Sequence, residues 1–356
     1  MTNSRMRVLI VDDSAFFRHR IEEVLKHAPD IEIIGYASDG RQAVQKAEAL
    51  NPDLITMDVR MPGMDGIAAV RHIMAAHPTR ILMFSALTKE GARETLEALE
   101  AGAIDFLPKQ PDTAGMGAIS YDFASLFLER VRAVGRSQFM LRHVVADSHR
   151  DTESTRPPRL VRQSLSEKIK LVAIGASTGG PVAVQSVLSS LPRDFSLPIV
   201  VAIHMPGSFT AAYAERLNMV SSIDVRQATD SDALLPGCAL IAPGGKQVTV
   251  EHGGSTGLIV RVKDALPGEV YHPSVDRLFH SAAQVLGGRV LAVVLTGMGS
   301  DGLQGAIRVK ETGGIVWSQD EGSSVVYGMP QVVEKAGLSD RVLPINTMGL
   351  QLMSVL

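Results

Sequence analysis

Residues Lys170 to Pro181 read "KLVAIGASTGGP", an apolar run that breaks into a turn crowded with glycine. The run from Leu171 to Ile174 has the length and composition of a buried strand. The turn after it fits G-x-S-x-G, in which a sharp bend lifts the hydroxyl of Ser177 clear of a sheet. A glycine-rich turn after a strand can equally cradle a phosphate. A P-loop is excluded, because no Gly-Lys-Ser/Thr follows, and G-x-G-x-x-G is also missed. Nucleophile or spacer therefore has to be decided by the rest of the chain.

Downstream the same pattern recurs in "LPIVVAIH", "CALIAPG", "LIVRVK", "RVLAVVLTGMGSD" and "GGIVWSQD". Long apolar runs of this kind suit the centre of a parallel sheet covered on both faces. The shorter pieces around Ala239 to Lys263, with Gly-Gly at 244 and 253, are expected to form an antiparallel appendage. Upstream, from Met6 to about Ser137, "RVLIVDD", "IEIIGYAS", "DLITMD", "RILMFSA" and "AIDFLPK" alternate with segments of helical spacing. Five βα units result, which predicts a second parallel sheet with function at the carboxyl ends of its strands. Between the halves, "RHVVADSHRDTESTRPPRLVRQSLSEK" is charged and carries Pro-Pro without a sustained apolar period, as a linker would. The expected organisation is residues 1–137, a linker over 138–168, and residues 169–356.

Bulk properties agree with two globular domains. The chain has 356 residues, 45% of them hydrophobic, and a formal net charge of -3. One hydrophobic core seldom serves that length. So small a net charge argues against nucleic acid as a partner. No apolar stretch approaches the length of a membrane helix, so direct membrane insertion is not expected. The single cysteine, Cys238, excludes an internal disulfide and suits a reducing cytoplasm. The reading is a soluble, cytoplasmic protein.

In the first half, Asp12 and Asp13 follow the first strand, Asp58 closes the third, Ser85 follows the fourth and Lys109 ends the fifth. Parallel strands bring all five side chains to one edge. Carboxylates gathered there repel one another unless a cation joins them, and oxygen ligands suit Mg²⁺. An aspartate in such a site can attack phosphorus, with lysine and serine stabilising the transferred oxygens. Taken alone, Asp13 has even odds of being only a helix cap. In the second half a serine nucleophile needs a base, a carboxylate and oxyanion donors. Of His204, His252, His272 and His280, only His204 ends a long apolar strand, at the same topological address as Ser177. Asp301 lies beyond a third such strand. Each of the three alone is better read as a turn serine, a strand-end histidine and a cap of the helix from Gly302; their shared sheet edge reverses that weighting. The order Ser, His, Asp differs from that of α/β-hydrolases.

The motifs "VDDS", "MDVRMPGMDG", "SA" and the closing Lys109 resemble the receiver domain of two-component response regulators. The resemblance implies a flavodoxin-like fold, Asp58 as phosphoacceptor, Asp12, Asp13 and Asp58 as Mg²⁺ ligands, and Ser85 and Lys109 as the switch pair. From Lys170 onward, "GASTGGP", "HMPGSFT", "HPSVDRLFHS", "LTGMGSDG" and "VVYGMPQ" are together similar to the catalytic domain of chemotaxis protein-glutamate methylesterases, the CheB family. That likeness implies a doubly wound, mainly parallel, Rossmann-like α/β domain. It also implies Ser177 as nucleophile, His204 as base and Asp301 as orienter, with backbone N–H groups of Thr178 and Met298 as the oxyanion hole. His272 and Ser274 become candidate substrate contacts. The implied activity is hydrolysis of glutamate methyl esters on methyl-accepting chemoreceptors, with glutamine deamidation beside it, in sensory adaptation. No metal is implied at the esterase site. The implied phosphodonor is a chemotaxis histidine kinase, and the implied control is a receiver that covers the catalytic cleft until phosphorylated.

Overall fold

The computed structural model describes residues 5–109, 121–137, 169–254 and 257–354. The chain divides into two compact units, Met1–Val144 and Val145–Leu356. The expected linker, 138–168, lies outside the described residues.

In the first unit the apolar runs become strands β1 (Met6–Val11), β2 (Ile31–Ala37), β3 (Leu54–Asp58), β4 (Arg80–Ala86) and β5 (Asp105–Lys109). Helices α1 (Ala15–Leu25), α2 (Gly40–Leu50), α3 (Gly66–Ala76), α4 (Lys89–Glu100) and α5 (Tyr121–Gly135) alternate with them. The cap residues set these boundaries: Ser14, Asp39, Asp65 and Thr88 each accept a backbone N–H from the first turn of the next helix, which satisfies donors a helix start leaves open. The sheet is parallel, in the order β2-β1-β3-β4-β5. Strand order reverses beside β1, so the crevice above β1 and β3 is the natural ligand site.

The second unit carries a seven-stranded sheet of β6 (Leu171–Ala176), β7 (Ile199–Ile203), β8 (Asp224–Gln227), β9 (Cys238–Ile241), β12 (Val290–Val294), β13 (Ile315–Gln319) and β14 (Arg341–Leu343). Its order is β14-β13-β12-β6-β7-β9-β8, parallel at every pairing. The chain enters at the central β6, builds outward on one side, then crosses back to β12 on the other. Helices α6 (Gly180–Ser189), α7 (Gly207–Val220), α8 (Val275–Leu286), α9 (Leu303–Glu311) and α10 (Met329–Lys335) lie between strands, and α11 (Ile345–Met353) follows β14.

The expected antiparallel appendage is half right. Lys246–His252 (β10) and Leu258–Asp264 (β11) do form an antiparallel hairpin, whose Val248, Val250 and Val260 pack on Leu278 and Phe279 of α8. Strand Cys238–Ile241, which that expectation covered from Ala239 on, instead sits inside the main sheet between β7 and β8. Four fully apolar residues carry no signal that separates an internal parallel strand from a hairpin arm. The short polar strands Asp224–Gln227 and Arg341–Leu343 had no apolar run to announce them. Cys238 is buried, and burial pushes its thiol up to about 11, so it is an inert packing residue.

Candidate active site

Three strand ends converge at the switch point of the second sheet. Parallel register sets Ala176 beside Ile203, so the residues that leave the two strands, Ser177 and His204, emerge side by side. The His204 N–H donates to the Ala176 carbonyl (3.1 Å), which ties the two exits together. Asp301 arrives from the loop after β12, on the other side of β6. His204 Nε2 lies 2.8 Å from Asp301 Oδ2. No hydrogen bond joins the Ser177 hydroxyl to His204 among the described residues. Catalytic contacts of this kind are commonly loose before substrate binds.

Asp301 is 2% exposed, and a bare carboxylate at that depth would be costly. Its surroundings supply four donors. Val275 N–H (2.7 Å) joins His204 on Oδ2, while Asp276 N–H (2.9 Å) and Ser274 Oγ–H (3.0 Å) donate to Oδ1. These backbone donors are the open first turn of α8, where an anion is favoured. Burial raises the Asp301 carboxyl, but the hydrogen bonds from His204 and from the Asp276 and Val275 amides outweigh it and hold the group below the usual range. Asp301 therefore does not cap the helix that comes after it. That role falls to Asp276, whose carboxylate accepts from Gly302 N–H (2.9 Å) and Gly305 N–H (2.7 Å). The two aspartates cap each other's neighbouring helices and so lock α8 to α9.

Ser177 is 5% exposed and its turn is fastened from below. Its N–H donates to the Thr296 carbonyl (3.0 Å), and the Thr296 hydroxyl donates to the Thr178 carbonyl (2.9 Å). Gln319 Oε1 in turn accepts the Thr296 N–H (2.7 Å). The loop after β12 thereby lies against the nucleophile turn. A Cβ at Gly297 would come within 2.8 Å of Ser177 Cβ and 2.4 Å of Met329 Sδ, so only glycine permits this approach. The Thr178 and Met298 amides donate to no protein acceptor among the described residues.

The other residues singled out in the sequence fall differently. Ser274 is committed to Asp301 and to capping α8 at Arg277 N–H. His272 is exposed, with its carbonyl accepting from Gly245 N–H. His252 and His280 are exposed and lie off the triad. A cleft of about 390 Å³ touches Asp301, Ser274 and Tyr271, although neither Ser177 nor His204 lines it. Sequence reading did not single out Thr296, Gln319, Asp276 or Tyr271. Thr296 and Asp276 stand inside quoted motifs, yet their spacing carries no sign of which partner they reach.

In the first unit, Asp12, Asp13 and Asp58 can each turn an oxygen to a common point, all within 4.8 Å of one another. Asp12 and Asp58 are buried and Asp13 is exposed. Lys109 Nζ bridges Asp12 Oδ2 (2.7 Å) and Asp58 Oδ2 (2.8 Å). Asp12 Oδ2 nonetheless receives no well-directed hydrogen bond, leaving a buried anionic oxygen only partly satisfied. That donor set is compatible with Mg²⁺. Burial first, and then the charge of Asp12 against the pull of Lys109, raises the Asp58 carboxyl to about 6. The cap of α1 is Ser14, not Asp13. Ser85 lies within β4, one residue before its end, and its hydroxyl donates to the Gly91 carbonyl (3.0 Å).

Comparison with known proteins adds an independent line. The CheB methylesterase family matches residues 172–352, and the response regulator receiver domain matches residues 8–118. A protein-glutamate methylesterase/protein-glutamine glutaminase of Alkalilimnicola ehrlichii is 46% identical over 98% of this chain and 99% of its own. The protein of the same name from Vibrio parahaemolyticus is 46% identical, over 96% of each chain. The crystal structure of the Thermotoga maritima CheB methylesterase catalytic domain is 36% identical, covers 53% of this chain and 99% of its own, and has a TM-score of 0.51.

Proposed function

The chain belongs to the CheB methylesterase family, and from that premise we propose that Ser177, His204 and Asp301 are the triad with which it works. The protein is a protein-glutamate methylesterase and protein-glutamine glutaminase of chemotactic adaptation, joined to a receiver domain that places it under phosphorylation control. The observation that carries the triad is the His204–Asp301 hydrogen bond, made to a buried carboxylate that His204 and two amides at a helix start hold below the usual range.

With Nε2 engaged by Asp301, Nδ1 is the ring nitrogen left to accept the Ser177 proton. The freed oxygen attacks the side-chain carbonyl carbon of a methylated glutamate. The charge that gathers on the carbonyl oxygen falls to the Thr178 and Met298 amides. Collapse breaks the bond to methoxide, which leaves as methanol with the proton held by His204; a glutamine substrate releases ammonia by the same step. Water, deprotonated by His204, then attacks the acyl-enzyme and returns Ser177. Asp301 keeps the imidazole oriented and stabilises its charged form throughout.

In the receiver, Asp58 is the phosphoacceptor and Asp12, Asp13 and Asp58 are the residues that would hold Mg²⁺. The ion would offset the carboxylate charge and that of the incoming phosphoryl oxygens. Lys109 would exchange its contact with Asp58 for a phosphoryl oxygen, and Ser85 would leave Gly91 for another. The substrates are chemoreceptors at their cytoplasmic helices, and the donor is a chemotaxis histidine kinase. Methanol release from methyl-labelled receptor membranes tests both halves. The reading expects release to vanish in Ser177→Ala, and stimulation by acetyl phosphate to vanish in Asp58→Asn. Release that persists in Ser177→Ala would end the triad assignment. A wild type that binds receptors and releases nothing would make the protein an adaptor.

A further inference from the structure

We infer that Tyr271 is a positioning residue for this reaction, its ring holding the plane of the His204 imidazole; the inference rests on the triad reading. The two rings stack with centroids 4.6 Å apart and planes 7° from parallel. A hydrogen bond at Nε2 pins one vertex of the imidazole, but rotation about the terminal torsion of histidine is broad. Rotation of that kind would turn Nδ1 out of the direction from which it can take the Ser177 proton and would tilt the Nε2 contact with Asp301 as well. A flat surface against the ring face removes this freedom, because any change of plane drives the imidazole into the aromatic ring.

Tyr271 is itself held. The side chain of Gln247, buried at 2% exposure, donates to the Tyr271 carbonyl (2.8 Å) and accepts the Ser274 N–H (2.9 Å). That amide ties Tyr271 to Ser274, and Gly245 N–H holds the backbone between them through the His272 carbonyl (3.1 Å). Among the described residues, the continuation of this segment supplies Asp301's donors other than His204, from Ser274, Val275 and Asp276. One short stretch, from Tyr271 to Asp276, thus sets both the carboxylate and the ring face that His204 meets. The far end of Tyr271 reaches the loop of the Met298 amide: a Cβ at Gly299 would lie 2.8 Å from the Tyr271 hydroxyl. General base and oxyanion loop are spanned by one aromatic side chain.

The test uses the full-length protein with phosphodonor, in wild type, Tyr271→Phe and Tyr271→Leu. Methanol release gives kcat and KM, a fluorophosphonate probe gives the phosphonylation rate of Ser177, and a melting curve gives stability. Tyr271→Phe keeps the ring and is expected within about twofold of wild type in kcat. Tyr271→Leu keeps the bulk and loses the plane; kcat and the phosphonylation rate should fall together by about tenfold or more, with KM within about twofold, since small misplacements of a catalytic group carry losses of this size. Should Tyr271→Leu melt below the assay temperature, Tyr271→Met carries the same comparison. A leucine variant with wild-type kcat would overturn the inference, as would a phenylalanine variant that loses as much as leucine, or a loss confined to KM. Failure of the triad reading is seen separately, as methanol release that survives in Ser177→Ala.

Discussion

At the scale of single residues, the proposed triad turns on how Asp301 is kept charged at 2% exposure. Burial alone would push it toward the neutral acid, and a neutral partner would neither orient His204 nor stabilise its protonated form. The hydrogen bond from His204, followed by the Asp276 and Val275 amides of the first turn of α8, reverses that balance. Asp301→Asn keeps the volume but offers the imidazole the wrong pattern of donors and acceptors. Its kcat for methanol release should fall by about 10³–10⁴-fold. A variant within tenfold of wild type would show that His204 is oriented by other means. Ser177, His204 and Asp301 could be singled out in the sequence because each follows a long apolar strand. Asp276, Thr296 and Gln319 were not, since a residue that acts by holding another looks in one dimension like any polar residue of a loop.

At the scale of elements, the reciprocal caps Asp301 on α8 and Asp276 on α9 make two helices and one loop a single unit. A second joint lies at Thr296 and Gly297, where the loop after β12 meets the turn after β6. Gly297→Ala places a methyl group where Ser177 Cβ and Met329 Sδ already stand. The turn must move by a few tenths of an ångström or more, and the serine and the Met298 amide move with it. Methanol release should drop at least about tenfold, with the folded state retained in the far-UV spectrum. Wild-type kcat in this variant would mean that the approach of the two loops is incidental. The fold at this scale was readable from periodicity wherever runs were long. It went astray at Cys238–Ile241, where four apolar residues could serve an internal strand or a hairpin arm equally well.

At the scale of the whole molecule, each unit places its proposed site where strand order reverses, because there two neighbouring connections leave on opposite sides and open a crevice. In the receiver that crevice gathers charge that opposes folding. Asp58 titrates near 3.8 when unfolded and at about 6 in the folded unit, chiefly because it is buried. The folded form therefore binds its proton more tightly, and this group's contribution to stability is greatest below its unfolded value and is lost as pH rises through about 6. In EDTA at pH 7, Asp58→Asn should stabilise the receiver transition of the full-length protein by on the order of 1–3 kcal/mol. The gain should shrink as pH falls below 6, and added Mg²⁺ should narrow it as well. A variant no more stable than wild type at pH 7 would show that Lys109 already offsets the buried charge.

The sequence by itself determined that the chain holds two parallel α/β units, and which side chains stand at the ends of their strands. Both rest on local rules: strand and helix periods are written over a few residues, and parallel strands deliver the residues at their carboxyl ends to one edge of the sheet. Only the tertiary structure decided which of those side chains touch. The pairing of His204 with Asp301, the four donors around that carboxylate, the exchange of caps with Asp276 and the ring of Tyr271 against the imidazole join residues up to 97 positions apart. Contacts over such distances depend on strand order, and strand order is set by how whole helices and sheets bury one another, not by any short stretch of chain.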